Sequence, residues 1–121
     1  MANEIDKIAA VVLTHNSASD LPDCLSGLAA QQGIDTRIIV VDNASRDESR
    51  LMMEDCFQHH FPNGGLVDSE VVTPAMLNEA GAFFVRHPQN DGYSAGNNIG
   101  ARLAIEAGCN AIMIVNPDVR L

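Results

Sequence analysis

Four unbroken apolar runs, separated by stretches of helical or glycine-rich character, constrain this chain more than any other feature. They are Ile8–Leu13, Ile38–Val41, Ala82–Val85 and Ala111–Val115. A strand with one wet face alternates apolar and polar residues. These runs do not, so they read as strands covered on both faces, as in a parallel sheet flanked by helices. After the first run, Leu21, Cys24, Leu25, Leu28 and Ala29 recur at spacings of three and four. That stripe predicts a core-facing helix, capped by Ser19 with Asp20 at its positive end and ended by Gly33. The second strand spans Arg37–Asp42. Ser45 and Glu48 form a capping-box pair for a second helix, with Asp47 in its first turn, running to His59 or His60 before Pro62.

Residues 66–81 are the least readable. Asn63-Gly64-Gly65 signals a turn before them, and Thr73-Pro74 starts a short helix closed by Gly81. The segment from Asn90 to Gly100 leads into a helix through Ala107, with Gly108 as its stop. Alternating strands and helices imply βαβ crossovers and an α/β fold with a mostly parallel sheet. No helix follows the last run before Leu121. The expectation is therefore a single unit over residues 1–121, Rossmann-like and truncated after its fourth strand.

The chain has 121 residues, 46% hydrophobic and 19% charged, which suits one globular domain. A formal net charge of −9 disfavours nucleic acid as a partner and obliges any phosphate ligand to bring a cation or find local amides. Cys24, Cys56 and Cys109 are odd in number and lack a C-x-x-C pair, so they read as small buried hydrophobes in a reducing compartment. The first apolar run is too short to span a bilayer, and Glu4 and Asp6 before it do not suit a signal peptide. A cytoplasmic location is the default expectation.

Polar motifs stand at three strand ends: Thr14-His15-Asn16, Asp42-Asn43-Ala44-Ser45 and Asn116-Pro117-Asp118. In open parallel sheets, ligands bind in the crevice at the carboxyl ends of strands, so the three predict one polar site. Asp42 could accept hydrogen bonds from a ribose diol or a base N–H, or serve only as a turn residue. Asp118 could ligate Mg²⁺ or Mn²⁺ alongside substrate phosphates, or sit in an ordinary Asn-Pro turn. Gly92, Gly96 and Gly100 match neither a dinucleotide fingerprint nor a phosphate loop. Gly92 suits a tight turn, and the other two suit close approach of a helix to the sheet or a ligand. Asn97 and Asn98 fall in that helix's first turn, where they could face a ligand. Among the histidines, only His15 lies at a strand end; His59, His60 and His87 read as surface or loop residues.

Taken together, VVLTHN, IIVVDNASRDES, NDGYSAGNNIGARLA and IVNPDV resemble the N-terminal, nucleotide-binding half of a family 2 glycosyltransferase of the GT-A fold, in its rhamnosyltransferase-like subgroup. The likeness runs from Ile8 to the last residue, interrupted by an insertion from Phe61 to Gly81. It implies an inverting transfer of sugar from a nucleotide-diphospho-sugar to an acceptor hydroxyl. It also implies that Leu13, Thr14, His15, Asn16, Asp42 and Asn43 surround the nucleoside, and that Asn90, Gly92, Gly96 and Asn98 line the donor pocket. Asn116-Pro117-Asp118 corresponds to the family's D-x-D position, where Asp118 would hold a Mg²⁺ or Mn²⁺ ion at the diphosphate. Asn116 replaces the first acid of that motif. The general base of such enzymes, and their acceptor-binding half, lie downstream of that motif, so these 121 residues alone would bind a nucleotide weakly at best and transfer no sugar.

Three other readings are weaker. A Rossmann-type dehydrogenase needs glycines after its first strand, where this chain has Thr14-His15-Asn16-Ser17. A receiver-like signalling domain needs paired acids there. A non-catalytic nucleotide-binding or interaction domain of the same fold stays open as an alternative, because the general base of a transferase is not among these residues.

Overall fold

The structure is a computed structural model, and it describes residues 7–30, 35–89 and 92–117. Those residues form strands β1 (Lys7–Thr14), β2 (Asp35–Asn43), β3 (Gly65–Asp68), β4 (Ala82–His87) and β5 (Ala111–Val115). Helices α1 (Leu21–Ala30), α2 (Asp47–His60), α3 (Pro74–Ala80) and α4 (Tyr93–Glu106) alternate with them. The sheet order is β3-β4-β2-β1-β5, and every pairing is parallel. The fold is the α/β, Rossmann-like arrangement expected of half a GT-A domain.

Unbroken apolar strands are what this architecture demands, because both faces of the inner strands are covered. On one face Ala10, Val12, Ile38, Val40 and Phe84 meet Leu21, Leu25 and Leu28 of α1 and Met53 and Phe57 of α2. On the other face Val11, Ile39, Val41, Phe83 and Val85 meet Leu77 of α3, Leu103 and Ala104 of α4, and Ala107 that caps it. Removing so much apolar surface from water is the main force holding the layers together. At the β5 edge of the described sheet the cover thins, and Ile114 is exposed.

Several expectations are corrected. The described sheet has five strands, because the poorly readable stretch contains β3, an edge strand paired with β4; the final run is thus the fifth strand. Strand β4 continues past Val85 through Arg86 and His87, which pair with Asp42 and Asn43. Ala29 is exposed, although the other four members of its stripe are buried. The cap position of α1 falls on Asp20 rather than Ser19, and Gly33 lies outside the described residues. Ser45 does not cap α2; Arg46 occupies that position without a side-chain cap. Only Cys24 is fully buried, while Cys56 and Cys109 are partly so; in both, burial pushes the thiol pKa up. The short helix α3 forms as expected, with the Thr73 hydroxyl accepting from the Met76 amide and Gly81 closing it in the left-handed region.

Candidate functional site

The carboxyl ends of β1 and β2 are brought level by their register, in which Thr14 lies opposite Asp42. Asp42 is 2% exposed, so its carboxylate needs internal donors. The Thr14 hydroxyl donates to its Oδ1 at 2.8 Å, the Ser45 hydroxyl donates to the same oxygen, and the Ser45 amide donates to Oδ2 at 3.2 Å. This is why Ser45 is not the cap of α2: its hydroxyl is already committed to a stronger, charged acceptor. A carboxylate offers roughly four acceptor positions, so the three donors leave Asp42 room for one more. A ribose diol would require two.

The loop after β1 is locked onto the loop after β2. The Asn16 amide donates to Ser45 Oγ at 2.7 Å, and Asn16 Oδ1 accepts from the Arg46 amide at 2.8 Å. His15 Nδ1 lies 2.6 Å from the carbonyl oxygen of Asn43. A carbonyl can only accept, so Nδ1 is the donor in this contact. Asn16 and Ala44 both adopt positive φ, at 51° and 54°. Asn tolerates that region, but for Ala it costs on the order of 1 kcal/mol. The Ala44 amide is held there by the carbonyl of His87 at 2.9 Å, which ties the loop to the end of β4.

The glycine-rich segment joins this network at one point. The carbonyl of Gly92, whose φ is 96°, accepts from Asn43 Nδ2 at 3.2 Å, so the start of α4 sits against the end of β2. Gly96 and Gly100 turn inward instead. A methyl group added at Gly96 would lie 2.3 Å from Leu13 Cδ1, and one at Gly100 would lie 2.4 Å from Val11 Cγ1. Leu13 and Gly96 therefore meet in the packing between β1 and α4. Asn98 is exposed and lines a separate cavity of about 410 Å³ between α3 and α4, beside Arg102 and Pro74. Asn116 is exposed just past β5. Asn90 and Asp118 lie outside the described residues, and among the described residues no group of three or more His, Cys, Asp or Glu could hold a metal ion.

A second cavity, of about 380 Å³, opens at the carboxyl ends of β2, β3 and β4, with Asp42 and Ser45 on one side and Asp68, Ser69, Arg86 and His87 on the other. Sequence reasoning did not nominate those last four. His87 reads as a loop residue in the sequence, yet it is the last residue of β4. Asp68 ends, and Ser69 follows, a short strand that has no alternation to reveal it. Arg86 donates from Nε to the buried Glu54 on α2 at 2.7 Å, and this bond raises the guanidinium pKa above its ordinary value.

No described helix is long and apolar enough to cross a membrane. The chain is similar to the low-salt glycan biosynthesis hexosyltransferase Agl10 of Haloferax volcanii, at 24% identity over 118 residues. That alignment covers 97% of this chain but only 29% of that protein, so the chain spans under a third of its relative's length. The model of the glycosyl transferase family 2 matches residues 9–119, which takes in every strand end of the site. Nearly the whole chain is matched, and it belongs to glycosyl transferase family 2.

Proposed function

We propose that the strand-end crevice binds a nucleotide-diphospho-sugar and that this chain is the donor-binding part of an enzyme transferring the sugar, with inversion, to an acceptor hydroxyl. The observation that carries this reading is the buried Thr14–Asp42–Ser45 network, which rigidly joins two strand ends beside a polar cavity in a family 2 member. Asp42, with one acceptor position remaining, takes a single base N–H; Thr14, His15, Asn16 and Asn43 shape the loops around the nucleoside. Leu13 and Gly96 act by holding β1 and α4 together, and Asn90, Gly92 and Asn98 flank the donor. The acceptor is a hydroxyl-bearing saccharide, lipid-linked or protein group, and the general base belongs to sequence downstream of these residues. The partly buried thiols suit a reducing, cytoplasmic setting.

Asp118, with the neutral amide oxygen of Asn116, is assigned to a Mg²⁺ or Mn²⁺ ion. Hard oxygen ligands are the right chemistry, and one or two carboxylates suffice when substrate phosphates supply the rest. When bound, the ion neutralises charge on the diphosphate. A net charge of −9 favours such a counter-charge. Thermal-shift measurements over a panel of sugar nucleotides, with and without Mn²⁺, test the proposal. At least one donor should raise the melting midpoint, more so with Mn²⁺, and Asp118→Ala should abolish the Mn²⁺ increment. Absence of any shift across the panel would overturn the nucleotide-sugar reading. A Mn²⁺ increment that survives Asp118→Ala would overturn only the metal assignment.

A further inference from the structure

We infer that Ser69, with Glu70 beside it, is a specificity-determining residue that reads the nucleobase of the donor. The inference rests on the nucleotide-sugar reading above and assigns a role to the segment between α2 and β4, which otherwise interrupts the family pattern. That segment supplies Asp68, Ser69 and Glu70 to the wall of the 380 Å³ cavity, facing Asp42 and Ser45 across it.

The charge of the cavity decides which part of a donor it can take. Its lining carries the carboxylates of Asp42, Asp47, Asp68 and Glu70 against the guanidiniums of Arg50 and Arg86. Both guanidiniums are already engaged. Arg86 lies 2.7 Å from Glu54 and 3.7 Å from Asp68, and Arg50 lies 3.3 Å from Asp47 and 3.4 Å from Glu54. A diphosphate placed here would meet an excess of negative charge, whereas an uncharged group rich in N–H donors would meet acceptors. A nucleobase is such a group.

Ser69 is held firmly enough to discriminate. Its amide donates to the carbonyl of Arg86 at 2.8 Å, extending the β3–β4 pairing by one step, and its Oγ lies 3.1 Å from His87 Nδ1. The carbonyl of His87 in turn accepts from the Ala44 amide, so the wall is continuous from β3 through β4 to the β2 loop. The Ser69 hydroxyl can both accept and donate, and the carboxylates of Asp68 and Glu70 on either side of it, lining the same wall, can only accept. Bases presenting an N–H or amino group to that wall are favoured over those presenting a carbonyl or ring nitrogen.

Calorimetric titration of the chain with the diphosphates of uridine, thymidine, guanosine, cytidine and adenosine, and with inorganic diphosphate, in Mn²⁺ buffer, tests this. Ser69→Ala should weaken the preferred nucleotide by about three- to tenfold, the worth of one hydrogen bond, and narrow the spread between bases. Glu70→Gln, at an exposed position, should act in the same direction, so a folding defect at Ser69 alone does not decide the result. Inorganic diphosphate should bind both variants as it binds the parent. Unchanged base ranking in both variants, or an equal loss of inorganic diphosphate, would overturn the inference and leave the donor reading standing. Failure of every nucleotide to bind the parent would overturn the donor reading and this inference together.

Discussion

At the scale of single residues, the site depends on one buried carboxylate. Asp42 organises the β1 and β2 loops because the Thr14 hydroxyl and both polar groups of Ser45 converge on it at a nearly buried position on the cavity wall. Hydrogen bonds to a charged group are worth more than neutral ones, and donors left without an acceptor cost their full desolvation. Asp42→Ala should therefore lower the unfolding free energy by about 2–4 kcal/mol. Asp42→Asn is milder, because its carbonyl oxygen can keep the Ser45 amide while Thr14 redirects its hydroxyl to the Val41 carbonyl, already 3.4 Å away. A loss of about 1 kcal/mol is expected there. Urea unfolding of the two variants checks the order. Equal losses, or an Ala variant as stable as the parent, would mean the network is not what holds these loops.

At the scale of elements, α4 shows how glycine sets the distance between a helix and a sheet. Gly96 and Gly100 both face β1, but their neighbours differ. Leu13 is partly buried, and its nearest atom is the end of a flexible side chain, which can swing away. Val11 is fully buried and β-branched, with little rotamer freedom. Each Gly→Ala change gains about 1 kcal/mol of helix propensity. Gly96→Ala should thus stay within about 1 kcal/mol of the parent. Gly100→Ala, which forces the sheet and helix apart, should cost about 1–3 kcal/mol. Thermal melts of both proteins would show a reversed order if α4 packs differently.

The same elements explain what could be read from the sequence. Strands β1 and β2 were legible because burial on both faces demands unbroken apolar runs, β5 because its run is equally apolar although it is only partly covered at the edge of the described sheet, and α1 because its stripe repeats at helical spacing. Strand β3 was not, since it spans four residues at an edge, none of them fully buried, and is defined by pairing with a strand far along the chain. The end of β4 was hidden for a related reason: Arg86 and His87 are polar because they face the cavity, so the residues nearest the site are those that break the strand pattern. Ser45 shows the limit of local motifs. Its capping box is correct by spacing, but the Asp42 carboxylate three residues back, itself fixed by Thr14 of the neighbouring strand, competes for the hydroxyl.

At the scale of the whole molecule, the formal charge of −9 opposes both the folded state and an anionic ligand, and its effect on stability can be measured apart from any ligand. Folding gathers the excess carboxylates into a small volume, and salt screens their repulsion. Between about 0.01 M and about 0.1 M salt, the Debye length falls from about 30 Å to about 10 Å, from the size of the domain to less than it. Salt also weakens favourable ion pairs, so the sign depends on which contribution is larger. Asp35, Asp47 and Asp68 pair from solvent-exposed positions, where such pairs are worth little. Glu54 is the exception, with its side chain 9% exposed between Arg86 and Arg50, and burial protects that cluster from screening. Repulsion should therefore dominate, and the melting midpoint should rise by a few degrees across this range of sodium chloride. A midpoint that falls would show that the exposed pairs matter more than the net charge. Repeating the melts with Glu54→Gln separates the two contributions: the salt-induced rise should persist, because it comes from the overall charge, while the midpoint drops at every salt concentration as Arg86 loses its buried partner.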